Sequence, residues 1–525
     1  MKIQATYVIL EVNLGFFCIL EGGKPGAKPN MEVEGLKLAK LLERLEYRLL
    51  QGSLDTEVKR IENDSRRVEE GALFFCIRGA LSDGHKYVPD VVEKGAAVLV
   101  VMEEVEAPKT VTVIQVEDTR YAMALISAAW YGYPAEQMKV IGITGTKGKT
   151  TTTYMVKSIL EAAGHKVGLI GTIEAIIGDT HIPASNTTPE SITIQKYFRM
   201  MVDAGCDAAV MEVSSQGLKL HRTAGIPFEI GIFTNIEPDH IGPAEHESFE
   251  EYMHCKGMLF RQCALGIVNA DDKHLAKVLK GHTCRIETFG FSPEADLRAE
   301  NVRLIQRPGY LGVTYHVAGV MDMDVEIDIP GRFSVYNSLT AISICRHFGV
   351  SEENIKSALK QAKVKGRIEM VKVSDEFTLM IDYAHNAMSL ESLLTTLKEY
   401  HPKRLVCLFG CGGNRAKARR YEMAEVSGRL ADFTIITSDN PRFEKPEDIL
   451  NDIEEGMKKT DGKYIKIVDR KEAIRYAIHH GQPGDVIVLA GKGHEDYQEI
   501  EGKKYHMDER ELIADILRED QERAR

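Results

Sequence analysis

A glycine-rich segment, Gly142-Ile-Thr-Gly-Thr-Lys-Gly-Lys-Thr150, follows an apolar run and precedes a helical pattern. Glycines at such a turn let backbone N–H groups point inward around phosphate oxygens, and the start of the following helix adds partial positive charge. Lys149 is placed to reach the β- and γ-phosphates of a nucleotide, and the Thr150 hydroxyl to bind Mg²⁺. The segment therefore predicts a nucleoside triphosphate site. The alternative is a tight strand–helix turn that binds no ligand.

Acidic and imidazole side chains follow two further apolar runs. Glu212 ends the run Ala-Ala-Val-Met-Glu, and Asp239 and His240 come soon after Ile230–Thr234. A carboxylate at the carboxyl end of a parallel strand faces the ligand crevice, and carboxylate oxygens suit Mg²⁺. Glu212 is thus a candidate metal ligand, although an isolated Glu is usually a solvated surface group and His240 alone could be a loop histidine.

Cysteine usage and charge exclude several classes of protein. The nine cysteines lack Cys-x-x-Cys spacing, which predicts reduced thiols in a reducing compartment, and Cys407 and Cys411 have no nearby partners for a metal site. The net charge of -12 argues against a nucleic-acid partner. No stretch approaches the ~20 apolar residues that a membrane span needs. We therefore expect a cytoplasmic protein without membrane insertion.

The length of 525 residues predicts three domains, since a single hydrophobic core rarely grows so large. Residues 1–30 end in a Gly/Pro stretch and are interpreted as an extension that could precede a start at Met31; a signal peptide is the alternative. The predicted domains are 31–138, 139–364 and 365–525.

Apolar periodicity predicts the elements of each domain. The first has a helix over Val33–Glu46 and apolar runs at Ala72–Ile77, Ala96–Val101 and Thr110–Val116, which indicate a small α/β fold. The second alternates strands and helices, which indicates a parallel sheet covered on both faces. Its predicted elements are a strand over 139–145, a helix over Thr150–Ala163, and strands at Ala208–Val213, Ile230–Thr234 and Leu265–Asn269.

The third domain shows the same alternation of strands and helices. Its predicted strands are Leu379–Asp382, Leu405–Gly410, Phe433–Thr437, Ile465–Val468 and Val486–Leu489. Helical patterns separate them, so we expect a second α/β unit with a largely parallel sheet.

The segment Gly-Ile-Thr-Gly-Thr-Lys-Gly-Lys-Thr-Thr resembles the nucleotide loop of the Mur ligase superfamily, which also includes folylpolyglutamate synthases. The segments GRFSVYN, VKGRIE and IDYAHN continue the resemblance. It implies a central ATPase domain between a uridine-binding domain and a Rossmann-like domain. It further implies ATP contacts at Gly145, Thr146, Lys147, Gly148, Lys149, Thr150, Thr151, Asn337, Arg367 and Asp382.

The same resemblance assigns catalytic and metal roles. It implies catalytic roles for Lys149, Glu212, His240 and Lys256, and Mg²⁺ ligands at Thr150, Glu212 and His240. Lys256, in EEYMHCKGMLF, is similar to the lysine that the family carbamylates, which would turn a cation into an anion beside the metal. Without the family context, Lys256 would be interpreted as an exposed helix lysine.

Within the superfamily the chain is most similar to the MurE group. NDSRRVEEGALFFCIRG resembles its uridine-binding segment. That likeness implies substrate contacts at Asn63 and Ser65, the loop Ala80, Leu81 and Ser82, and at Asn186, Thr187, Thr188, Ser214 and Arg222. Guanidinium groups pair well with carboxylate and phosphate, which suits Arg222 to this role.

Ser-Asp-Asn-Pro-Arg442 resembles the segment by which MurE ligases bind meso-diaminopimelate. With GCGGNR and GKGHEDYQ it implies amino-acid contacts at Arg415, Asp439, Asn440, Pro441, Arg442, Gly491 and Glu495. Arg442 can form a two-pronged pair with the distal carboxylate. The alternative is a simple turn, since Asp-Asn-Pro is turn-prone. The chain departs from the family pattern at DHIGPAEH, where DHLDYH is usual, and at DYAHNAMSLE, where DYAHTPD is usual.

These resemblances imply a monomeric, Mg²⁺- and ATP-dependent ligase that makes an acyl phosphate on UDP-N-acetylmuramoyl-L-alanyl-D-glutamate and then an amide with a diamino acid. His385 is a candidate base for the amine. The alternatives are a ligase for L-lysine or L-ornithine, a folylpolyglutamate synthase, a P-loop ATPase or kinase that forms no amide, and a nucleotide-binding scaffold without catalysis.

Overall fold

The computed structural model describes residues 35–79, 82–239, 241–242, 245–307 and 309–523. The extension at residues 1–30 and the predicted site residues Ala80, Leu81 and His240 lie outside these ranges. Within them, three α/β units each have their own main sheet, which confirms the predicted fold class. The predicted domain limits stay predictions, because a sheet shows where strands lie rather than where a folding unit ends.

The first unit is built around a five-stranded sheet in the order β2-β7-β6-β5-β4, with β2 antiparallel to β7 and the other pairs parallel. A short antiparallel pair, β1 and β3, stands beside it. Its elements are β1 (Leu36–Lys37), α1 (Leu38–Leu41), β2 (Arg48–Gln51), β3 (Glu57–Val58), β4 (Arg60–Glu62), β5 (Ala72–Phe75), α2 (Val88–Glu93), β6 (Val98–Val101), β7 (Thr112–Gln115) and α3 (Thr119–Trp130).

The predicted long helix over Val33–Glu46 is wrong over the described residues 35–46. Its helical part is the single turn of α1, and β1 just before it pairs with β3. The leucine spacing that suggested a helix is real, since Leu38, Leu41 and Leu42 are buried. One turn satisfies that spacing, because helix propensity is a weak constraint on so short a segment. Strand pairing takes Leu36 and Lys37 before the turn, and the residues up to 46 after it form a turn and a loop.

The second unit contains an eleven-stranded sheet in the order β11-β10-β9-β12-β8-β13-β14-β15-β16-β17-β18. Its elements are β8 (Lys139–Thr144), α4 (Lys149–Ala162), β9 (Val167–Ile170), β10 (Glu174–Ile177), β11 (Thr180–Pro183), α5 (Ser191–Asp203), β12 (Ala208–Glu212), α6 (Ser215–Lys219), β13 (Phe228–Phe233), α7 (Phe249–Gly257), β14 (Cys263–Asn269), α8 (Leu275–Val278), β15 (Arg285–Gly290), β16 (Leu297–Arg307), β17 (Tyr310–Gly319), β18 (Met323–Ile327), α9 (Arg332–Cys345) and α10 (Glu352–Gln361).

The middle of this sheet is parallel, as predicted, but both of its edges are antiparallel. Strands β9, β12, β8, β13, β14, β15 and β16 pair in parallel, whereas β10 and β11 at one edge and β17 and β18 at the other pair antiparallel. Separate buried clusters pack the two faces, one with residues of α4, α9 and α10 and the other with residues of α5 and α7. Burial on both faces explains the continuous apolar runs of the central strands.

The third unit contains a six-stranded sheet in the order β19-β20-β24-β21-β22-β23, parallel except for β19. A small hairpin of β25 and β26 follows it. The elements are β19 (Glu369–Val371), β20 (Thr378–Asp382), α11 (Ala387–Lys398), β21 (Arg404–Phe409), α12 (Ala418–Leu430), β22 (Phe433–Ile436), α13 (Pro446–Met457), β23 (Tyr464–Lys466), α14 (Arg470–His479), β24 (Asp485–Ala490), β25 (Tyr497–Ile500), β26 (Lys503–His506) and α15 (Glu509–Arg523).

A tyrosine connects the second and third units. The Tyr400 hydroxyl, just beyond α11, accepts from the Gly331 amide at 2.9 Å and donates to the Gly312 carbonyl at 2.8 Å. Leu311 of β17 is buried in the hydrophobic core of the third unit. Across the described ranges, no helix is both long and apolar enough to cross a lipid bilayer.

Candidate active site

The glycine-rich loop lies between β8 and α4, where the sequence predicted it. Gly145 and Gly148 have φ angles of 151° and 87°, in the region that favours glycine. A Cβ on Gly145 would lie 1.9 Å from Thr234 Oγ1, and one on Gly148 would lie 2.4 Å from Asn337 Oδ1. The loop therefore requires glycine at both positions, and Asn337 lies directly against it.

Side chains that follow β13 hold this loop in place. The Thr234 hydroxyl donates to the Lys147 carbonyl at 2.8 Å, and Asn235 Oδ1 accepts from the Lys147 amide at 2.9 Å. The Asn235 carbonyl accepts from the Thr146 amide at 2.9 Å. Sequence analysis missed both residues, although their place just after a buried strand could have indicated them.

Two lysines, the half-buried Lys149 and the buried Lys256, converge on the loop. Lys149 Nζ and Lys256 Nζ each donate to the Gly145 carbonyl at 2.9 Å. Lys256 is 1% exposed, so the plain interpretation of it as an exposed helix lysine is wrong. Burial lowers the pKa of both ammonium groups, and the charge of Lys149 lowers the pKa of Lys256 further. An anion bound beside the loop would stabilise both ammonium groups, because negative charge offsets the lost hydration and the mutual repulsion of two like charges.

Glu212, at the carboxyl end of β12, is 1% exposed and is fixed by a threonine that the sequence analysis missed. Its two carboxylate oxygens accept from the Thr172 amide at 2.8 Å and from the Thr172 hydroxyl at 2.9 Å. Thr187 Oγ1 lies 3.0 Å from Thr172 Oγ1. Thr172 follows β9, the neighbour of β12, so parallel pairing brings the two residues together.

A cleft of about 320 Å³ joins these groups to the third unit. From the second unit it is lined by Thr146, Lys147, Gly148, Lys149, Thr150, Thr151, Glu212, Asp239 and Asn337, and from the third by Arg367 and Asp382. We call it the central cleft. All the predicted nucleotide residues except Gly145 therefore line this one cleft. Gly145 lies just behind the cleft lining, where its carbonyl accepts from both lysines.

Asp382 and Arg367 lie where the third unit meets the central cleft. Asp382 accepts from the backbone amides of Ile368 and Ala384, both at 2.8 Å, and burial raises its pKa. The Arg367 guanidinium lies 4.9 Å from the centre of the Tyr383 ring. His385 is exposed, its Nδ1 lies 2.9 Å from the Tyr383 carbonyl, and it is not among the residues that line the cleft.

The donor set of the central cleft fits a magnesium ion. Glu212 and Asp239 offer carboxylate oxygens and Thr150 a hydroxyl, and hard oxygen donors of this kind are those that Mg²⁺ prefers. Thr172 holds Glu212 in one orientation, which metal binding requires. His240, the remaining predicted ligand, is outside the described residues.

The predicted substrate residues near the first unit fall around two further clefts. Asn63 and Ser65 line a cleft of about 590 Å³, the N-terminal cleft, while Asn186 lines one of about 120 Å³, the small cleft. Near the second, Thr188 and Ser214 are bonded to each other through the Ser214 amide at 2.9 Å. Arg222 donates to the Thr188 carbonyl, also at 2.9 Å. These residues form one connected group.

Arg442 has an ionic partner that sequence analysis missed. Its Nε donates to Glu499 Oε2 at 2.9 Å and its Nη1 to the Gly413 carbonyl at 2.8 Å. Its backbone φ is 53°, and it forms a β-bridge to Ile500, the last residue of β25. The backbone turn here begins at Pro441, where the Glu444 amide donates to the Pro441 carbonyl at 3.0 Å, and the Arg442 side chain is held in one direction by its two partners. Arg415 is exposed and lies beside Gly412, the residue that Arg442 also approaches.

A buried lysine organises the rest of this loop. Lys492 Nζ donates to Asn440 Oδ1 and to Glu495 Oε2, both at 2.9 Å, and Asn440 Nδ2 donates to Glu495 Oε2 at 2.9 Å. Asp439 Oδ2 would lie 3.1 Å from a Cβ on Gly491. The predicted amino-acid residues Asp439, Asn440, Pro441, Arg442, Gly491 and Glu495 therefore form one small polar site.

An ion pair beneath this site ties its two loops together. Arg470 and Glu509 are 1% and 0% exposed in their side chains and lie 2.8 Å apart. Arg470 also donates to the Ser438 carbonyl at 2.9 Å and to the Ala490 carbonyl at 3.1 Å. It thus fixes the residues just before Asp439 and Gly491.

Models of known families match three parts of the chain. They are the Mur ligase family catalytic domain at residues 57–131, the Mur ligase middle domain at 143–345 and the Mur ligase glutamate ligase domain at 366–493.

Curated relatives match nearly the whole chain. A UDP-N-acetylmuramoyl-L-alanyl-D-glutamate--2,6-diaminopimelate ligase of Clostridium acetobutylicum is 44% identical over 92% of this chain and 100% of its own length. An enzyme of the same name from Clostridium perfringens is 41% identical over 91% of this chain and 99% of its own length.

Solved structures share the fold. A structure of a ligase with that name superposes with a TM-score of 0.69 and 25% identity, over 93% of this chain and 99% of its own. A MurF ligase from Thermotoga maritima in complex with ADP superposes with a TM-score of 0.54 and 17% identity, over 89% of this chain and 98% of its own.

Proposed function

We propose, from the premise that this chain belongs to the Mur ligase family and to its MurE group, that it is an ADP-forming ligase of cell-wall precursor synthesis. It adds meso-2,6-diaminopimelate to UDP-N-acetylmuramoyl-L-alanyl-D-glutamate; its relatives' names give the same acceptor and 2,6-diaminopimelate. The observation that carries the assignment is the central cleft, in which the loop lysine and Glu212 face Arg367 and Asp382 of the third unit.

The residues of the central cleft suit the first half of the reaction. ATP lies along the loop, and Lys149 neutralises charge on the transferring phosphoryl group. A carboxylate of the terminal D-glutamyl residue attacks the γ-phosphorus, the bond to the bridging oxygen breaks, and ADP leaves with its electron pair. The product is an acyl phosphate, in which an unreactive carboxylate has become an acylating group.

The second half is amide formation at the acyl carbon. A neutral amine of the diamino acid attacks, loses a proton to a base, and inorganic phosphate leaves. The charged side chains of the polar site in the third unit would orient the diamino acid. Arg442 would pair with the distal carboxylate, and Glu495 would face the distal ammonium. His385, the predicted base, lies against the Tyr383 carbonyl and does not line the central cleft, so it would have to turn towards the cleft to accept the proton.

Magnesium and a carbamate on Lys256 complete the proposal. Thr150, Glu212 and His240 would hold Mg²⁺, which supplies a Lewis acid for the phosphate oxygens. Lys256 suits carbamylation because burial lowers its pKa, which favours the neutral amine that can take up CO₂, and because its Nζ lies beside the loop. A carbamate there would replace one charge of the buried lysine pair by its opposite.

We also propose a monomer that works in the cytoplasm. The eight cysteines of the described part are free thiols, which supports a reducing compartment. No nucleic-acid partner is expected from the net charge of -12.

A panel of amino acids tests the function. The protein is incubated with ATP, Mg²⁺ and the UDP-muramoyl dipeptide, with meso-diaminopimelate, L-lysine or L-ornithine, and both ADP and product mass are followed. We expect ADP to form in step with a product heavier than the dipeptide by one diaminopimelate residue. ADP formation that does not depend on the dipeptide would indicate an ATPase. A phosphorylated product would indicate a kinase, and a lysine adduct would indicate a different amino-acid specificity.

A further inference from the structure

Glu190 is a carboxylate held between two arginines from different units. Its Oε1 accepts from Arg222 Nη2 at 2.7 Å, and its Oε2 lies 3.4 Å from Arg120 Nη1. The three side chains are 29%, 14% and 19% exposed. Arg120 is on α3 of the first unit, whereas Glu190 and Arg222 belong to the second. We call this group the Glu190 bridge.

The Glu190 bridge stands at the border of two clefts. Glu190 lines both the N-terminal cleft, with Asn63 and Ser65, and the small cleft, with Asn186. Arg120 lines the N-terminal cleft as well. A ligand that occupies both clefts has to pass this carboxylate and the guanidinium groups bound to it.

The proposed substrate places a diphosphate at this border, and the inference rests on that proposed function. With the nucleoside in the N-terminal cleft, the two phosphates that join it to the amino sugar would pass Glu190 on the way towards Asn186. Guanidinium groups are the preferred side chains for such an anion, because their fork donates two parallel hydrogen bonds.

The two arginines of the Glu190 bridge are held with different strength. Arg222 makes two short bonds, to Glu190 and to the Thr188 carbonyl. Arg120 makes one contact at 3.4 Å, beyond the usual range for an N–H···O bond. A diphosphate carries more charge than a carboxylate shared by two guanidinium groups, so Arg120 is the arginine that can change partner.

The backbone at Arg120 is fixed independently of its side chain. Asp118 caps α3 and accepts from the Arg120 amide at 2.7 Å and the Tyr121 amide at 3.0 Å. Removal of the Arg120 side chain therefore leaves the cap of the helix in place. The guanidinium is thus carried at the edge of the N-terminal cleft by a fixed backbone.

We infer that Arg120 binds the diphosphate of the nucleotide-sugar substrate, and that Glu190 holds its guanidinium in position until the substrate arrives. The substrate then links the first unit to the second through Arg120 and Arg222. Arg120 is a substrate-binding residue in this scheme, and Glu190 is a positioning residue.

Calorimetric binding of uridine, UMP and UDP to the full-length protein tests this. We expect the unmodified protein to prefer UDP to uridine, and Arg120→Ala to lose roughly 10- to 100-fold in UDP affinity with uridine affinity unchanged. Arg120→Lys keeps the charge but not the fork, so it should recover part of the loss. With the full substrate, Arg120→Ala should raise the KM for the UDP-muramoyl dipeptide and leave the KM for ATP alone.

Arg66→Ala is the matched control, because Arg66 lines the same cleft but is already paired with Asp64 through bonds of 2.9 and 2.8 Å. It should keep the preference for UDP. An Arg120→Ala protein that melts normally and still prefers UDP overturns the inference while leaving the ligase assignment intact. If the unmodified protein shows no preference for UDP, the nucleotide-sugar substrate itself is wrong, and the inference with it.

Discussion

Two lysine side chains of the central cleft, Lys149 and Lys256, are held out of water beside the nucleotide loop. Lys149 and Lys256 share the Gly145 carbonyl as an acceptor, and burial lowers the pKa of both. Such an arrangement is unfavourable in isolation, since each ammonium group loses its hydration and gains a like-charged neighbour. A polyphosphate relieves both costs, so the same residues that weaken the empty site strengthen nucleotide binding.

Arg442 is the residue at which amino-acid recognition can be isolated. Arg442→Ala should raise the KM for meso-diaminopimelate by roughly tenfold or more, because a charge-assisted pair with the distal carboxylate is lost. The KM for ATP should change by less than about twofold, since the two sites use different loops. Steady-state kinetics with each substrate varied in turn measures both.

The control for Arg442 is Arg429→Ala, which removes the same charge from α12, where Arg429 contacts Glu391 at 3.4 Å on the surface. It should leave both constants unchanged, because exposed pairs contribute little. Equal increases of both KM values in Arg442→Ala would show that the residue supports the whole active site rather than the amino acid.

At the scale of elements, catalytic groups come from the carboxyl ends of neighbouring parallel strands. β8 leads into the nucleotide loop, β12 ends in Glu212, and β13 is followed by Thr234 and Asn235. In the third unit, β21, β22 and β24 end beside the amino-acid loops in the same way. Loops at this edge point into one crevice, so residues far apart in sequence become neighbours.

Gly413 tests how closely two such loops approach. A Cβ there would lie 1.9 Å from the Pro441 carbonyl oxygen, and the Gly413 amide bonds to the Asn440 carbonyl at 2.8 Å. Gly413→Ala should therefore push the Asn440–Arg442 loop away, raise the KM for the diamino acid and lower the melting temperature. Kinetics and thermal unfolding of the same preparation give both values.

Gly164→Ala separates lost stability from a damaged site. Gly164 follows α4 with φ of 91° and has open space around its Cβ position, so the substitution strains the backbone without a clash. It should cost about 1 kcal/mol and leave both KM values unchanged. A Gly413→Ala protein with the same kinetics as the unmodified one would contradict the close packing of the two loops.

At the scale of the whole molecule, the central cleft forms where the second and third units meet, so the joint between them is part of the site. Tyr400 bonds across this joint, and Arg367 and Asp382 reach the nucleotide loop from the third unit. His494 lies close to the same connection, since a Cβ on Gly366 would be 2.1 Å from its amide nitrogen. Its ring packs 4.6 Å from that of Tyr383.

His494 makes the stability of the molecule depend on pH. Burial lowers its pKa to about 4, with Arg367, Lys365 and Arg510 adding to the effect. The unfolded chain then binds a proton near its ordinary pKa of about 6.5, before the folded protein does. This contribution is absent above pH 6.5 and destabilises the fold by up to roughly 3 kcal/mol as the pH falls towards 4.

Denaturant unfolding of the unmodified protein and His494→Gln between pH 7.5 and 4.5 checks this. The difference in free energy of unfolding should shift in favour of the variant as the pH falls, because glutamine takes up no proton. His282→Gln, the same substitution at an exposed histidine after α8, provides the comparison. Parallel curves for His494→Gln and the unmodified protein would mean that His494 is not kept neutral.

Short-range sequence patterns were enough to predict the fold class and many of the candidate site residues. The glycine loop, the apolar strands around it, Glu212 at a strand end and the Asp-Asn-Pro-Arg segment are local features, because backbone sterics and side-chain alternation act over a few residues. The fold class and the family followed from them. The helix predicted over Val33–Glu46 shows the limit, since the same leucine spacing fitted a single turn, with a paired strand before it and a loop after it.

Partners distant in sequence were decided by the tertiary structure alone. Thr172 holds Glu212 across 40 positions, Lys492 holds Asn440 across 52, and Glu499 holds Arg442 across 57. The pairing of Arg120 with Glu190 spans 70. Nothing in the local chain specifies these contacts, because they depend on strand order and on how the units meet. The sequence named the groups that do chemistry, and the fold decided which neighbours orient them and set their charge.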